Sequence, residues 1–322
     1  MNKNVLGFFK RLVIFVALFY VVDRALGYAV LYAYLNKKNS NSEVTTHAVL
    51  KANEDILVYG SSRAAHHYDC KILTDSTGLS AFNCGKDGAN IIYYDAILHS
   101  AVERHKPKAV VLDLIANDIA VSDKVKRKQD VIASMLLPYV RRDREIQKAI
   151  AEVDPAEVYK AKLSVMYLCN SLVLQSFANK VGGSSKEFIN GFQPLKGSKV
   201  AATLPVYDDY NAVDTLSKRK LEDFVQTVRS KNIPLYAVIS PMYFAQFKNT
   251  PSMDTMRAIM KRNNVELWDY SQDTSYKKKE FFYDNGHMNI KGSERFTCDI
   301  ASKIKKDLSA QTNNKPLELT KK

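Results

Sequence analysis

The residues best able to do chemistry are a serine closing an apolar run and a carboxylate–histidine pair near the far end of the chain. Ile56–Leu57–Val58–Tyr59 follows the polar Asn53–Glu54–Asp55 and breaks at Gly60–Ser61–Ser62–Arg63. A β-favouring apolar run bounded by polar residues reads as a strand, and open α/β sheets carry their sites at the carboxyl ends of strands. Ser62 is then either a nucleophile or an ordinary helix cap, a role serine fills well. A nucleophile needs a base, and Asp284–Asn285–Gly286–His287 offers one. A carboxylate three residues before a histidine can hold one imidazole nitrogen and leave the other to take a hydroxyl proton. The alternative for His287 is a surface loop capping the helix that Asn289 and Gly292 lead into.

His66 is a rival base, four residues beyond Ser62 and on the same face if the segment is helical. One turn along the same helix is a poor position from which to reach the hydroxyl, so His287 is preferred. Arg63 is expected to form an ion pair. Cys70, Cys84, Cys169 and Cys298 lack metal-ligand spacing and read as free thiols, with Cys70 and Cys84 close enough in the chain path to lie near one another. No metal and no cofactor is expected.

Two further stretches separate the serine from the histidine: Asn83–Cys84–Gly85–Lys86–Asp87–Gly88 and Val110–Val111–Leu112–Asp113–Leu114–Ile115–Ala116–Asn117–Asp118. The four stretches, in this order, resemble the sequence blocks of the SGNH (GDSL-like) hydrolase superfamily over roughly residues 55–307. Ser62 matches the block I serine, Gly88 the block II glycine, Asn117 the block III asparagine, and Asp284 with His287 the block V pair. The Asp-x-x-His-x-Asn-x-x-Gly ending is the most specific part. Block I reads Gly-Ser-Ser in place of Gly-Asp-Ser, a variant associated with membrane-tethered bacterial members, and Ile115 stands where block III normally has glycine. The resemblance implies a flavodoxin-like three-layer α/β sandwich around a mostly parallel five-stranded sheet. It also implies a Ser62–His287–Asp284 triad, with an oxyanion hole made by the Ser62 and Gly88 N–H groups and the Asn117 carboxamide. Members hydrolyse esters or transfer acyl groups, commonly acetyl groups on cell-envelope glycans, beside membrane-bound acyl-donor proteins in some cases. A catalytically silent SGNH-like binding subunit and a lipid esterase are the alternatives.

The elements that must position these residues alternate between strand and helix, which argues a parallel sheet. Strands are expected at Ile56–Tyr59, Leu79–Asn83, Ala109–Leu114, Leu235–Ser240 and Val265–Tyr270. Helices are expected at Ile91–Arg104, Asp214–Lys231, Met253–Arg262 and Ile290–Leu308. Residues 121–198 interrupt the rhythm with helix-like stretches at Asp130–Tyr139, Arg144–Glu152 and Ala156–Ala178, and read as a helical cap lying over the strand ends, which shapes the substrate pocket or packs against the membrane. Within it, Tyr139, Tyr159 and Tyr167 read as core residues rather than sugar-stacking platforms.

Residues 12–35 form an apolar stretch interrupted only by Asp23–Arg24. As a helix it covers about 36 Å, enough to cross a bilayer, although each central charge costs about 2.5–3.5 kcal/mol. It reads as one uncleaved anchor within residues 1–38. Basic residues flank it on both sides, so placing the main domain outside the cytoplasmic membrane rests on the resemblance. Residues 39–54, polar and without apolar periodicity, read as a linker; 55–310, on the resemblance, as the SGNH hydrolase-like domain; and 311–322 as a frayed tail. The net charge of +13 over 322 residues suits an anionic surface. The cations are scattered rather than interleaved with aromatics in one patch, which argues against nucleic acid as the partner.

Overall fold

The computed structural model describes residues 3–121, 132–178, 187–201, 212–244 and 250–313. Five strands, β1 (Ile56–Tyr59), β2 (Ala81–Asn83), β3 (Ala109–Asp113), β4 (Leu235–Ile239) and β5 (Leu267–Asp269), form one sheet in the order β2-β1-β3-β4-β5. Every pairing is parallel. This is the doubly wound order whose switch point lies between β1 and β3, the two strands followed by Ser62 and Asn117. Alternation along the strands divides two cores. Leu57, Tyr59, Val110, Leu112, Ala237 and Ile239 face one side, and Ile56, Val58, Ala109, Val111, Tyr236 and Val238 the other.

In chain order the helices are α1 (Lys3–Leu35), α2 (Asn41–Leu50), α3 (Ser62–His67), α4 (Cys70–Thr77), α5 (Ile91–Arg104), α6 (Arg144–Val153), α7 (Pro155–Leu163), α8 (Ser171–Ala178), α9 (Thr215–Ser230), α10 (Pro251–Arg262) and α11 (Ile290–Asn313), with a further helical turn at 132–136. Helices α2, α5, α9 and α10 cover the first face of the sheet; α4 and α11 cover the second through Leu73, Phe296, Ile300 and Ile304. Expected and observed elements agree to within a few residues across the sheet and its crossovers.

Three expectations need correction. Residues 41–50 are a helix in the core, where polarity suggested a linker. Ser40 caps it by accepting from the Glu43 N–H, and Val44, Ala48 and Val49 are buried. Its threonines are tolerated because their hydroxyls bond buried tyrosines: Thr46 Oγ1 lies 2.9 Å from the Tyr139 hydroxyl, and the Tyr93 hydroxyl donates to Thr45 Oγ1 at 3.2 Å. Residues 156–178 are two helices and a turn, because Ser164 accepts from the Tyr167 N–H and Asn170 from the Leu172 and Val173 N–H groups, and such local bonds compete with helix continuation. The insertion closes later than residue 198: Ala120 and Val213 form an antiparallel bridge, and Asp214 N–H donates to the Ile119 carbonyl at 2.8 Å. The glycine pair at 182–183 and the tail beyond 313 lie outside the described residues.

Helix α1 runs without a break and, by length and composition, Asn4–Leu35 suffices to cross a membrane. Residues 4–22 are mostly exposed, whereas Asp23, Gly27, Leu31, Tyr34 and Leu35 form a buried stripe against the rest of the chain. The insertion helices pack on this α1–α2–α5 side of the sheet. Of the three tyrosines expected in the core, Tyr139 is buried, Tyr167 is half-buried, and Tyr159 is instead exposed.

Candidate active site

β1 ends at Gly60, whose φ of +154° is accessible to glycine at little cost. A β-carbon there would lie 2.7 Å from Ala64 Cβ and 2.8 Å from the Asp113 carbonyl, so the chain can turn this tightly into α3 only without a side chain. Ser62 opens α3, and its Oγ lies 2.7 Å from His287 Nε2. His287 Nδ1 is 2.9 and 3.0 Å from the two Asp284 oxygens. The three residues form the hydroxyl–imidazole–carboxylate relay that sequence reasoning expected. Asp284 Oδ1 also accepts from the Gly286 and His287 N–H groups, each at 2.9 Å. Burial works to raise the Asp284 carboxyl, but these bonds and the imidazole outweigh it and hold the group below the ordinary carboxylate value.

The remaining residues of that ending hold its loop. Asn289 Nδ2 donates to the Gly197 and Glu280 carbonyls at 3.2 and 2.9 Å, and Oδ1 accepts from the Gly292 N–H at 3.1 Å. A β-carbon on Gly292 would stand 2.1 Å from the Phe281 carbonyl oxygen, so α11 can start here only on glycine.

His66 is directed elsewhere. Its Nδ1 bonds the Gln193 carbonyl at 2.7 Å and its Nε2 lies 3.3 Å from Asp87, while its ring stands edge-on to His287 at 5.5 Å. Arg63 forms the expected ion pair, buried and with Asp113 at 3.0 Å. It also donates to the carbonyls of Leu114 and Ser240, tying the ends of β3 and β4 beneath the serine.

His67 escaped sequence reasoning. Its Nδ1 bonds Ser240 Oγ at 2.9 Å and its Nε2 accepts from the Met288 N–H at 3.0 Å. This fixes its tautomer with the proton on Nδ1 and anchors the residue next to His287. Burial first, then the nearby Arg63, His287 and His66, push His67 well below the ordinary imidazole value. Nothing in the local sequence marks it, since its partners lie 173 and 221 residues away.

The loop after β2 runs alongside the serine turn, with Lys86 N–H donating to the Gly60 carbonyl at 3.1 Å. It closes in a turn with Gly88 at φ +74°. After β3, Ile115 has φ −139° and ψ 153°, an extended conformation open to any residue, and its N–H donates to Asp118 at 2.8 Å. The buried Tyr94 hydroxyl reaches both the Ala89 carbonyl and Asp118, at 3.1 and 2.9 Å, and so ties the Gly88 and Asn117 loops together. The Ser62 and Gly88 N–H groups and the Asn117 carboxamide have no hydrogen-bond partner among the described residues.

Outside this site, Asp95, His99 and Asp223 are the group among the described residues that could hold a metal ion. Lys220 already sits within it, 3.1 Å from Asp95 and from Glu152 and 3.8 Å from Asp223, so a cation charge is in place. Cys70, Cys84 and Cys169 are buried free cysteines and Cys298 is exposed. The chain matches no family model and no curated protein sequence.

Proposed function

We propose that this chain is a membrane-anchored serine acyl-transfer enzyme of SGNH type, an ester hydrolase or O-acetyltransferase acting on acylated glycans or small esters of the cell envelope. The observation that carries this reading is the unbroken relay from Ser62 Oγ through both nitrogens of His287 to Asp284. Ser62 attacks the ester carbonyl carbon while its proton passes to His287 Nε2. Asp284 holds the imidazole in the required tautomer and stabilises the imidazolium. The tetrahedral oxyanion has three candidate donors in the Ser62 and Gly88 N–H groups and the Asn117 carboxamide, each such donor typically worth about 2.7–4 kcal/mol of barrier. As the carbonyl re-forms, the alcohol leaves with the proton from His287, and the acyl group remains on Ser62. A second hydroxyl then gives its proton to His287 and takes the acyl group, restoring Ser62. Water as that acceptor makes an esterase; a sugar hydroxyl makes a transferase. The relay serves both, and an outward-facing domain is the placement in which an envelope glycan would meet it.

The test uses the full chain in nanodiscs, with p-nitrophenyl acetate turnover and fluorophosphonate labelling. The parent is expected to turn over and label, and Ser62→Ala and His287→Ala to lose turnover by about 10⁴-fold or more. Acceptor glycan added to the active parent then divides the acetyl group between water and sugar. A parent as inert as Ser62→Ala toward both reagents would point instead to a non-catalytic binding subunit.

A further inference from the structure

Asp23 and Arg24 interrupt the apolar part of α1, yet their polar atoms are met by the insertion. Asp23 is buried and accepts from the Ser164 hydroxyl, from the Val165 N–H at 2.9 Å and from the Met166 N–H at 3.1 Å. Arg24 pairs with Asp23 and donates to the Leu163 carbonyl at 2.9 Å. Gly27 lets the turn come close: a β-carbon there would stand 2.6 Å from Val165 Cγ1.

Lys10 and Arg11 differ in this respect. Both are exposed, and neither has a partner among the described residues. Burying an uncompensated Lys or Arg at the bilayer centre costs about 2.5–3.5 kcal/mol, whereas a charge pair whose polar atoms are bonded within protein avoids much of that cost. The membrane boundary on the amino-terminal side therefore falls near Arg11. From Leu12 to Val22 the helix rises about 17 Å, little more than half of the roughly 30 Å hydrocarbon thickness. The span must continue past Asp23 to about Leu31, and over those residues one face of α1 is covered by the insertion.

The insertion presents an apolar surface at that depth, interrupted on α7 by the exposed Lys160 and Lys162, long cations that reach the headgroups by snorkelling. Outside α1, the exposed large apolar side chains of the described residues are Val121, Tyr159, Leu163, Met166 and Leu174. Four of these five lie on α7, α8 and the turn between them, beside the residues that bind Asp23. Leu163 is 60 % exposed and Leu174 56 %, which water disfavours and lipid does not. Tyr28 and Tyr32 are exposed on α1 over the same stretch. Arg141 donates to the Tyr28 hydroxyl and to the Ala161 and Lys162 carbonyls, and tyrosine with basic residues is the composition of a bilayer interface.

We infer that α7, the turn after it and α8 are seated in the bilayer leaflet on the side of the folded domain, with Tyr159, Leu163, Met166 and Leu174 contacting lipid and Asp23 clamping the insertion to the span. The catalytic domain is then held at a fixed height on the membrane rather than swinging on a tether.

Tryptophan depth quenching in the full chain tests this. In a Trp268→Phe background, Leu163→Trp and Leu174→Trp are reconstituted separately into phosphatidylethanolamine–phosphatidylglycerol vesicles whose acyl chains are brominated. Leu18→Trp, on the exposed part of α1, reports a residue in the span. The expected result is a loss of emission at positions 163 and 174 comparable to that at 18, with little quenching by aqueous iodide. Quenching by iodide but not by bromolipid places the insertion in water and overturns the inference. Quenching by neither means that a second copy or another protein covers the patch, which overturns it as well. Tyr159→Trp serves as a further reporter if either leucine variant fails to fold.

Discussion

At the end of β3 the side chains of Asn117 and Asp118 divide two tasks. Asp118 is consumed by structure, accepting from the Ile115 N–H and the Tyr94 hydroxyl, while the Asn117 carboxamide stays without a partner among the described residues. An unbonded amide on a loop held this firmly suits a donor that works only when an oxyanion forms. Asn117→Ala is therefore expected to lower kcat by about 10²–10³-fold with little change in KM, measured on the same ester as the parent. A fall in KM-dependent binding with unchanged kcat would remove Asn117 from the oxyanion site. Ile115 imposes no special backbone on this loop. Its extended backbone at φ −139° needs no glycine, so the departure from the block III pattern changes a side chain and leaves the path of the main chain alone.

Helix α3 is the element on which the site is built. It begins with Ser62, buries Arg63 under the strand ends, and sets the rings of both His66 and His67 edge-on to His287, at 5.5 and 6.4 Å. Because His67 must accept the Met288 N–H, its neutral form is part of the fold. The folded protein keeps His67 unprotonated where the unfolded chain takes up a proton near pH 6.5. Between those two values the unfolded state binds more protons, so stability falls as pH falls below about 6.5, by up to about 1.4 kcal/mol per pH unit, and is level above it. His99, raised in the fold by its bond to Asp95, acts in the opposite sense, so the comparison must be between parent and variant. Denaturant unfolding from pH 7.5 to 5 is expected to show a steeper acid loss for the parent than for His67→Gln. Parallel curves would mean that His67 is not held neutral.

For the molecule as a whole, the segment ahead of the sheet is part of the folded body. Helix α2 buries Val44 and Val49 and supplies hydroxyl partners to Tyr93 and Tyr139. Burial of two valines alone is worth about 3–6 kcal/mol, a large share of the usual 5–15 kcal/mol net stability. A chain beginning at residue 55 is expected to aggregate or to melt well below one beginning at residue 40, compared by soluble yield and thermal midpoint. Equal midpoints would return residues 39–54 to the role of a linker.

Residue order and type along the chain were enough for the strand–helix alternation, the apolar span, and the serine, aspartate and histidine of the relay, because each leaves a local mark. Apolar runs ending in glycine and serine mark β1, and a fixed spacing of small and polar residues marks the turn from Asp284 to Gly292. The tertiary structure alone decided the relations that no spacing encodes. Thr45 and Thr46 look polar and aperiodic until Tyr93 and Tyr139 come to meet them. His67 gains its role from Ser240 and Met288, distant in sequence and adjacent only once β4 and the His287 loop are in place. Asp23 and Arg24 read as a defect in an apolar helix until the turn at Ser164–Met166 supplies the hydrogen bonds that a buried carboxylate demands. Local patterns follow from the chain's own geometry, whereas the satisfaction of buried polar groups depends on partners that only folding brings together.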